Sequence, residues 1–161
     1  MANRESWLRM PVMVLLLGFV SIGSLYAQTD SRINGRWVAN EGGIETEYTF
    51  NNGNFESSMN KVSMQRGTYT TNNGKITINE THIYGGWLDT LGFSGLEAKW
   101  YTKNEFITVF RNLLTGYGIF TESQINEFVR QAMQILSYTY SVDANILILS
   151  SEEQVIIFNK R

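Results

Sequence analysis

Residues 44–59 read IETEYTFNNGNFESSM, and residues 67–78 read GTYTTNNGKITI. In the first stretch Ile44, Thr46, Tyr48 and Phe50 alternate with Glu45, Glu47 and Thr49, which is the period of a strand with one apolar face. Asn51-Asn52-Gly53-Asn54 then supplies the positive backbone angles of a tight hairpin turn, and Phe55 to Met59 forms the returning strand. The second stretch repeats the pattern, turning at Thr71-Asn72-Asn73-Gly74 and returning through Lys75 to Ile78. Two such hairpins in close succession predict an antiparallel meander.

The pattern extends in both directions. Gly35 to Asn40 reads as a strand before the first hairpin, and a further strand is expected near Leu96 to Tyr101. Tyr138 to Val142, Ile146 to Leu149 and Gln154 to Asn159 read as three more, turning at Asp143-Ala144-Asn145 and Ser151-Glu152-Glu153. Between them the period changes. Thr102 stands three residues before Glu105, the spacing of a helix capping box. Phe106, Ile107, Phe110, Leu113 and Leu114 follow at helical intervals, with Gly116 as the expected stop. Thr121 and Gln124 repeat the box ahead of an apolar stripe of Ile125, Phe128, Val129, Ala132, Met133 and Leu136. The predicted fold is mainly β: an antiparallel up-and-down β-barrel of about eight strands, with two helices inserted before the last strands. Closure removes the exposed edges that a long meander would otherwise carry.

The N-terminus reads differently. Arg4 and Arg9 precede a 12-residue apolar run from Pro11 to Ile22, and a short polar stretch ends at Ala27. That is the plan of a secretory signal peptide, and the run is short for a bilayer span of about 20 residues. Residues 1–27 are expected to be removed, leaving 28–161 as one domain, exported to a periplasm or secreted, with no stable membrane anchor. The remainder carries 11 basic and 14 acidic side chains and a net charge of −3. No basic block is present, so nucleic-acid binding is not expected. The chain has no cysteine, and 134 residues can bury enough apolar surface without disulfide bonds.

Chemistry is sparse. His82 is the only histidine, and without cysteine a metal site would need several converging carboxylates. Glu45 and Glu47 share a strand face but alternate with the apolar one, which places them in water outside the barrel. The serines lack a G-x-S-x-G elbow, and the glycines lack G-K-[ST]. No catalytic residue, metal or cofactor is therefore expected. A convergent set of titratable groups around Glu80, His82 or Asp89 would change that reading.

Gly35-Arg36-Trp37, opening the first strand, matches the G-x-W signature of lipocalins. Residues 67–78 and the ending from Tyr138 to Arg161 resemble bacterial lipocalin-like (calycin-type) domains, while Thr81 to Ser137 has no counterpart. The resemblance implies a structural role for Gly35 and Trp37: the tryptophan closes one barrel end, and Arg161 or Lys160 packs over the indole. It also implies non-catalytic binding of a small apolar ligand. Tyr48, Phe50, Phe55, Ile76 and Tyr140 would line the interior, and Trp87, Phe93 and Trp100, in a glycine-rich connection, would either plug the barrel end as core or form a flap over the mouth. The alternative is a solid barrel acting as a protein-interaction or structural module, since an eight-stranded barrel is narrow enough to be filled by its own side chains. No protein partner can be named from the residues.

Overall fold

The computed structural model describes residues 29–132, 134–152 and 154–161. The expected signal peptide, Met133 and Glu153 lie outside them. Nine strands are present: β1 (Gly35–Glu41), β2 (Ile44–Asn51), β3 (Asn54–Met59), β4 (Val62–Asn72), β5 (Lys75–Tyr84), β6 (Trp100–Thr102), β7 (Leu136–Asp143), β8 (Ile146–Ser150) and β9 (Val155–Lys160). Helices α1 (Lys103–Tyr117) and α2 (Glu122–Ala132) lie between β6 and β7.

Every strand pairing is antiparallel. β1 to β5 form the meander, the first half of β5 pairs with β7, and β7, β8 and β9 continue round to β1. Closure rests on two pairs, Trp37 with Lys160 and Val38 with Asn159. The result is a closed eight-stranded barrel, with β6 paired only to the far end of β5.

The turns explain the register. Asn52 and Gly53 have φ of 46° and 89°, and Asn73 and Gly74 have 48° and 73°. Both central residues are left-handed, as a two-residue hairpin matching the strand twist requires. A third such turn, Asn60-Lys61, has φ of 49° and 68°. It carries no glycine and so gave no sequence signal.

Alternation then decides what fills the barrel. Trp37, Phe50, Phe55, Tyr69, Ile76, Ile78, Leu147, Leu149 and Phe158 are fully buried. Tyr48 lies 4.8 Å from Phe158 and 5.1 Å from Phe55 between ring centroids, and Phe50 lies 4.9 Å from Tyr69. These are the tilted and edge-to-face contacts that aromatic pairs prefer.

One end is plugged. A 3-10 turn at Ser31–Ile33 drops Ile33 into the core, where its carbonyl accepts a 2.6 Å hydrogen bond from Trp37 Nε1. Asn34 ties this plug to the wall: its side chain accepts from the Tyr69 hydroxyl and the Asn52 amide, and donates to Asn52 Oδ1. Asp30 completes it, accepting from the Tyr140 hydroxyl at 3.0 Å and pairing with Arg32. The Arg32 guanidinium beside Asp30 draws its carboxyl pKa down from 3.8 to about 2. Because the folded value is the lower one, the stability contributed by ionised Asp30 is present above pH 4 and lost as pH falls towards 2. Asp30→Asn is therefore expected to flatten the acid limb of a melting-temperature profile between those values. Arg32 is largely exposed, so salt should weaken the same effect.

The opposite end receives the insertion. Ile83, Leu88, Leu96, Tyr101 and Phe106 form a second core, with Trp87, Phe93, Val109, Phe110 and Leu113 packed around it. Both capping boxes form, with the Thr102 hydroxyl and Glu105 carboxylate reciprocating on α1 and Thr121 with Gln124 on α2. The helix ends differ from those expected. Gly116 lies within α1, and the stop is Gly118 at φ 66°, the position that needs a left-handed residue. Helix α2 ends at Ala132, and Leu136 belongs to β7 opposite Ile78. Its helical spacing from Ile125 is overridden by pairing at the barrel rim. The strand expected over Leu96 to Tyr101 is confined to Trp100–Thr102.

Candidate functional site

The most unusual chemistry lies at the unplugged mouth. Along β5 the side chains of Ile76, Ile78 and Glu80 are buried, while those of Lys75 and Asn79 are exposed. The third inward position is thus a carboxylate where the pattern calls for an apolar group. A β-bulge places it. The ladder steps from Gly67 opposite Glu80 to Arg66 opposite His82, leaving Thr81 without a partner. Gly67 permits the step, because a Cβ there would stand 2.0 Å from the Asn79 carbonyl oxygen.

Glu80 is 6 % exposed, and its Oε1 is buried without a hydrogen-bond partner among the described residues. Its nearest cation is Lys103 Nζ at 3.9 Å, beyond hydrogen-bond reach. Lys103 is the first residue of α1 and donates instead to the Gln134 carbonyl at 3.3 Å. One side chain thus touches the carboxylate, the start of the helical insertion and the segment that leaves it. Tyr48 and Tyr138 complete the group. Burial raises the pKa of both phenols, and the Glu80 charge raises them further. The Tyr138 hydroxyl accepts from Gln154 Nε2 at 3.4 Å, and the Ser57 hydroxyl donates to Gln65 Oε1 at 3.2 Å.

Burial also raises the Glu80 pKa, opposed by the Lys103 charge. A raised carboxyl pKa means that the folded chain holds the proton more tightly than the unfolded one. The stability linked to this group is therefore complete below pH 4.5 and lost as pH rises through the folded value. Glu80→Gln is expected to melt no lower than the wild type at pH 8, and to remove a decline in stability above pH 5. Thermal denaturation across pH 4 to 9 measures both.

The other sequence candidates do not converge. Tyr48, Phe50, Phe55, Ile76 and Tyr140 face the barrel interior, where Phe50, Phe55 and Ile76 are close-packed core. Trp87 and Phe93 pack in the second core, and Trp100 stands on the outer wall beneath the Arg66 guanidinium, 4.6 Å from its ring centroid. The connection from Gly85 is therefore folded against α1, and these three aromatics pack apart from the interior five. Lys160 Nζ lies 5.1 Å from the Trp37 ring, whereas Arg161 reaches Glu45 and Glu47. Glu47 is also paired with Arg36, so both glutamates are held on the outer face. His82 turns to Thr81, with Nδ1 2.9 Å from its hydroxyl, and pairs on the opposite face of β5 from Glu80. Among the described residues no three of His, Asp or Glu are placed to share a metal ion.

Clefts lie at the rim and outer wall. One, about 680 Å³, separates the start of β7 from the β8–β9 turn and is lined by Gln134, Leu136, Tyr138, Ser150 and Gln154 among others. A second, about 310 Å³, runs along the outer wall between Glu45, Glu56, Lys61 and Trp100. Beside them β8 and β9 expose Ile146, Val155 and Ile157, the last 56 % accessible.

No family model, curated protein or solved structure matches this chain. Glu80 was legible in principle, as the one charge in the alternation Ile76, Ile78, Glu80. Lys103 was not, because it approaches through an insertion whose packing has no local signature.

Proposed function

We propose that the chain is an exported, lipocalin-like barrel without catalytic activity, acting as a protein-interaction module in the cell envelope. The observation that carries this reading is the filled interior: Trp37, Phe50, Phe55, Tyr69 and Phe158 occupy the barrel centre as fully buried, mutually packed side chains. A carrier of apolar ligands needs a pocket of about 300 Å³ or more lined by such residues. Among the described residues, clefts of about 680 and 310 Å³ lie at the rim and on the outer wall, and β8 and β9 leave Ile146, Val155 and Ile157 in water. A solid barrel with an apolar outer strip suits contact with another protein.

The test is native mass spectrometry of residues 28–161 purified gently from the host, combined with photo-crosslinking in cells from position 157 and, as a control, position 50. The reading expects a bare mass and a discrete crosslinked partner from Ile157 only. A co-purified apolar molecule released on denaturation, with no crosslink at Ile157, would replace it with the carrier reading.

A further inference from the structure

A buried carboxylate that accepts no hydrogen bond is rare in folded proteins, because burying such a charge unpartnered is costly. Glu80 is in that condition: Oε1 is enclosed and orphaned, and Lys103 stops 3.9 Å short while donating to Gln134. Lys103 neutralises the charge without saturating it. The groups around the carboxylate are also of one kind. Tyr48 and Tyr138 are both phenols that feel the Glu80 charge, and the Tyr48 hydroxyl has no hydrogen-bond partner among the described residues. The 680 Å³ cleft is lined in part by Tyr138 and by Gln134, whose carbonyl accepts from Lys103.

We propose that the barrel mouth binds a primary ammonium group, with Glu80 as its counter-ion and the Tyr48 and Tyr138 hydroxyls beside it. An ammonium carries three donors on a compact charge, enough to bond Glu80 Oε1 and reach the Tyr48 oxygen together. A neutral hydroxyl would leave the carboxylate charge uncompensated. Lys103 competes with the incoming cation, so it acts as the occupant of the empty-handed protein and is displaced on binding. The proposal is independent of the outer-wall reading above and stands if that fails.

The probe is n-butylammonium, titrated into the folded domain at pH 8 and followed by amide chemical shifts in two-dimensional NMR. Saturable shifts centred on Glu80, Tyr48 and Tyr138 are expected. Glu80→Gln should weaken the apparent affinity at least about tenfold, and Lys103→Met should strengthen it, because the competing cation is gone. Dispersed spectra of both variants report that the barrel is intact, and either variant alone decides the matter. Butan-1-ol, the neutral analogue, should not compete. Shifts confined to the Glu45, Glu47 and Glu56 face, equal binding by butanol, or affinity unchanged in both variants would overturn the proposal. A parallel titration with a capped lysine separates the two sources of such a group: tighter binding than butylammonium points to a lysine side chain of a partner, weaker binding to a free amine.

Discussion

Trp37→Ala is expected to cost about 3–5 kcal/mol, the range for emptying an aromatic site in a packed core. The indole is fully buried and its Nε1 donates to the Ile33 carbonyl. Its ring lies under the Lys160 ammonium. Truncation would therefore leave a cavity, unsatisfy a buried carbonyl and loosen both the plug and the pair that closes β9 onto β1. Urea denaturation read by far-ultraviolet circular dichroism measures this, and a loss under about 1 kcal/mol would remove Trp37 from its sealing role. Trp37→Phe should fall between, since it keeps most of the volume and loses the hydrogen bond.

Gly67→Ala should be as damaging, by another route. The added methyl would meet the Asn79 carbonyl oxygen at 2.0 Å, with the Asn79 carbonyl carbon and Glu80 Cα each at 2.9 Å. All three are backbone atoms of the paired strand, so no rotamer change relieves them. The bulge must open or the β4–β5 ladder must shift, and a shift by one residue would turn the inward set of β5 outwards. We expect a loss of about 3 kcal/mol or more, at the upper end for overpacking. Hydrogen exchange should show the damage first in β4 and β5. Protection equal to the wild type there would mean that the bulge is not under steric control. Gly116→Ala is the contrast, because open space surrounds that helical position.

How much of this was readable in advance follows from how local each signal is. The Asn-Gly hairpins, the period-two faces and both capping boxes are short-range chemistry, and the barrel follows from them because a meander must hide its edges. Boundaries set by tertiary pairing were not readable. Leu136 continues a helical stripe in sequence and sits in a strand in space, because Ile78 offers it a ladder position. The functional reading failed to be local in the same way. Aromatic spacing grouped Trp87, Phe93 and Trp100 with Tyr48 and Phe50, yet only the fold decides that the first two pack on α1 and the third stacks outside under Arg66. Glu80 could have been singled out from its own strand, while Lys103 required knowing that α1 begins at the barrel mouth.

The two-pair closure between β1 and β9 has a kinetic meaning. The strand that seals the barrel is the final one, and it must find a partner formed near the start of the domain. Such distant pairing is slow, because chain entropy is spent before any contact is made. While a ribosome is still adding β9, the preceding strands have an open sheet with two bare edges and a core lacking Phe158. The barrel thus behaves as a clasp that shuts only once β9 is in place, and the strands before it stay unlocked until then.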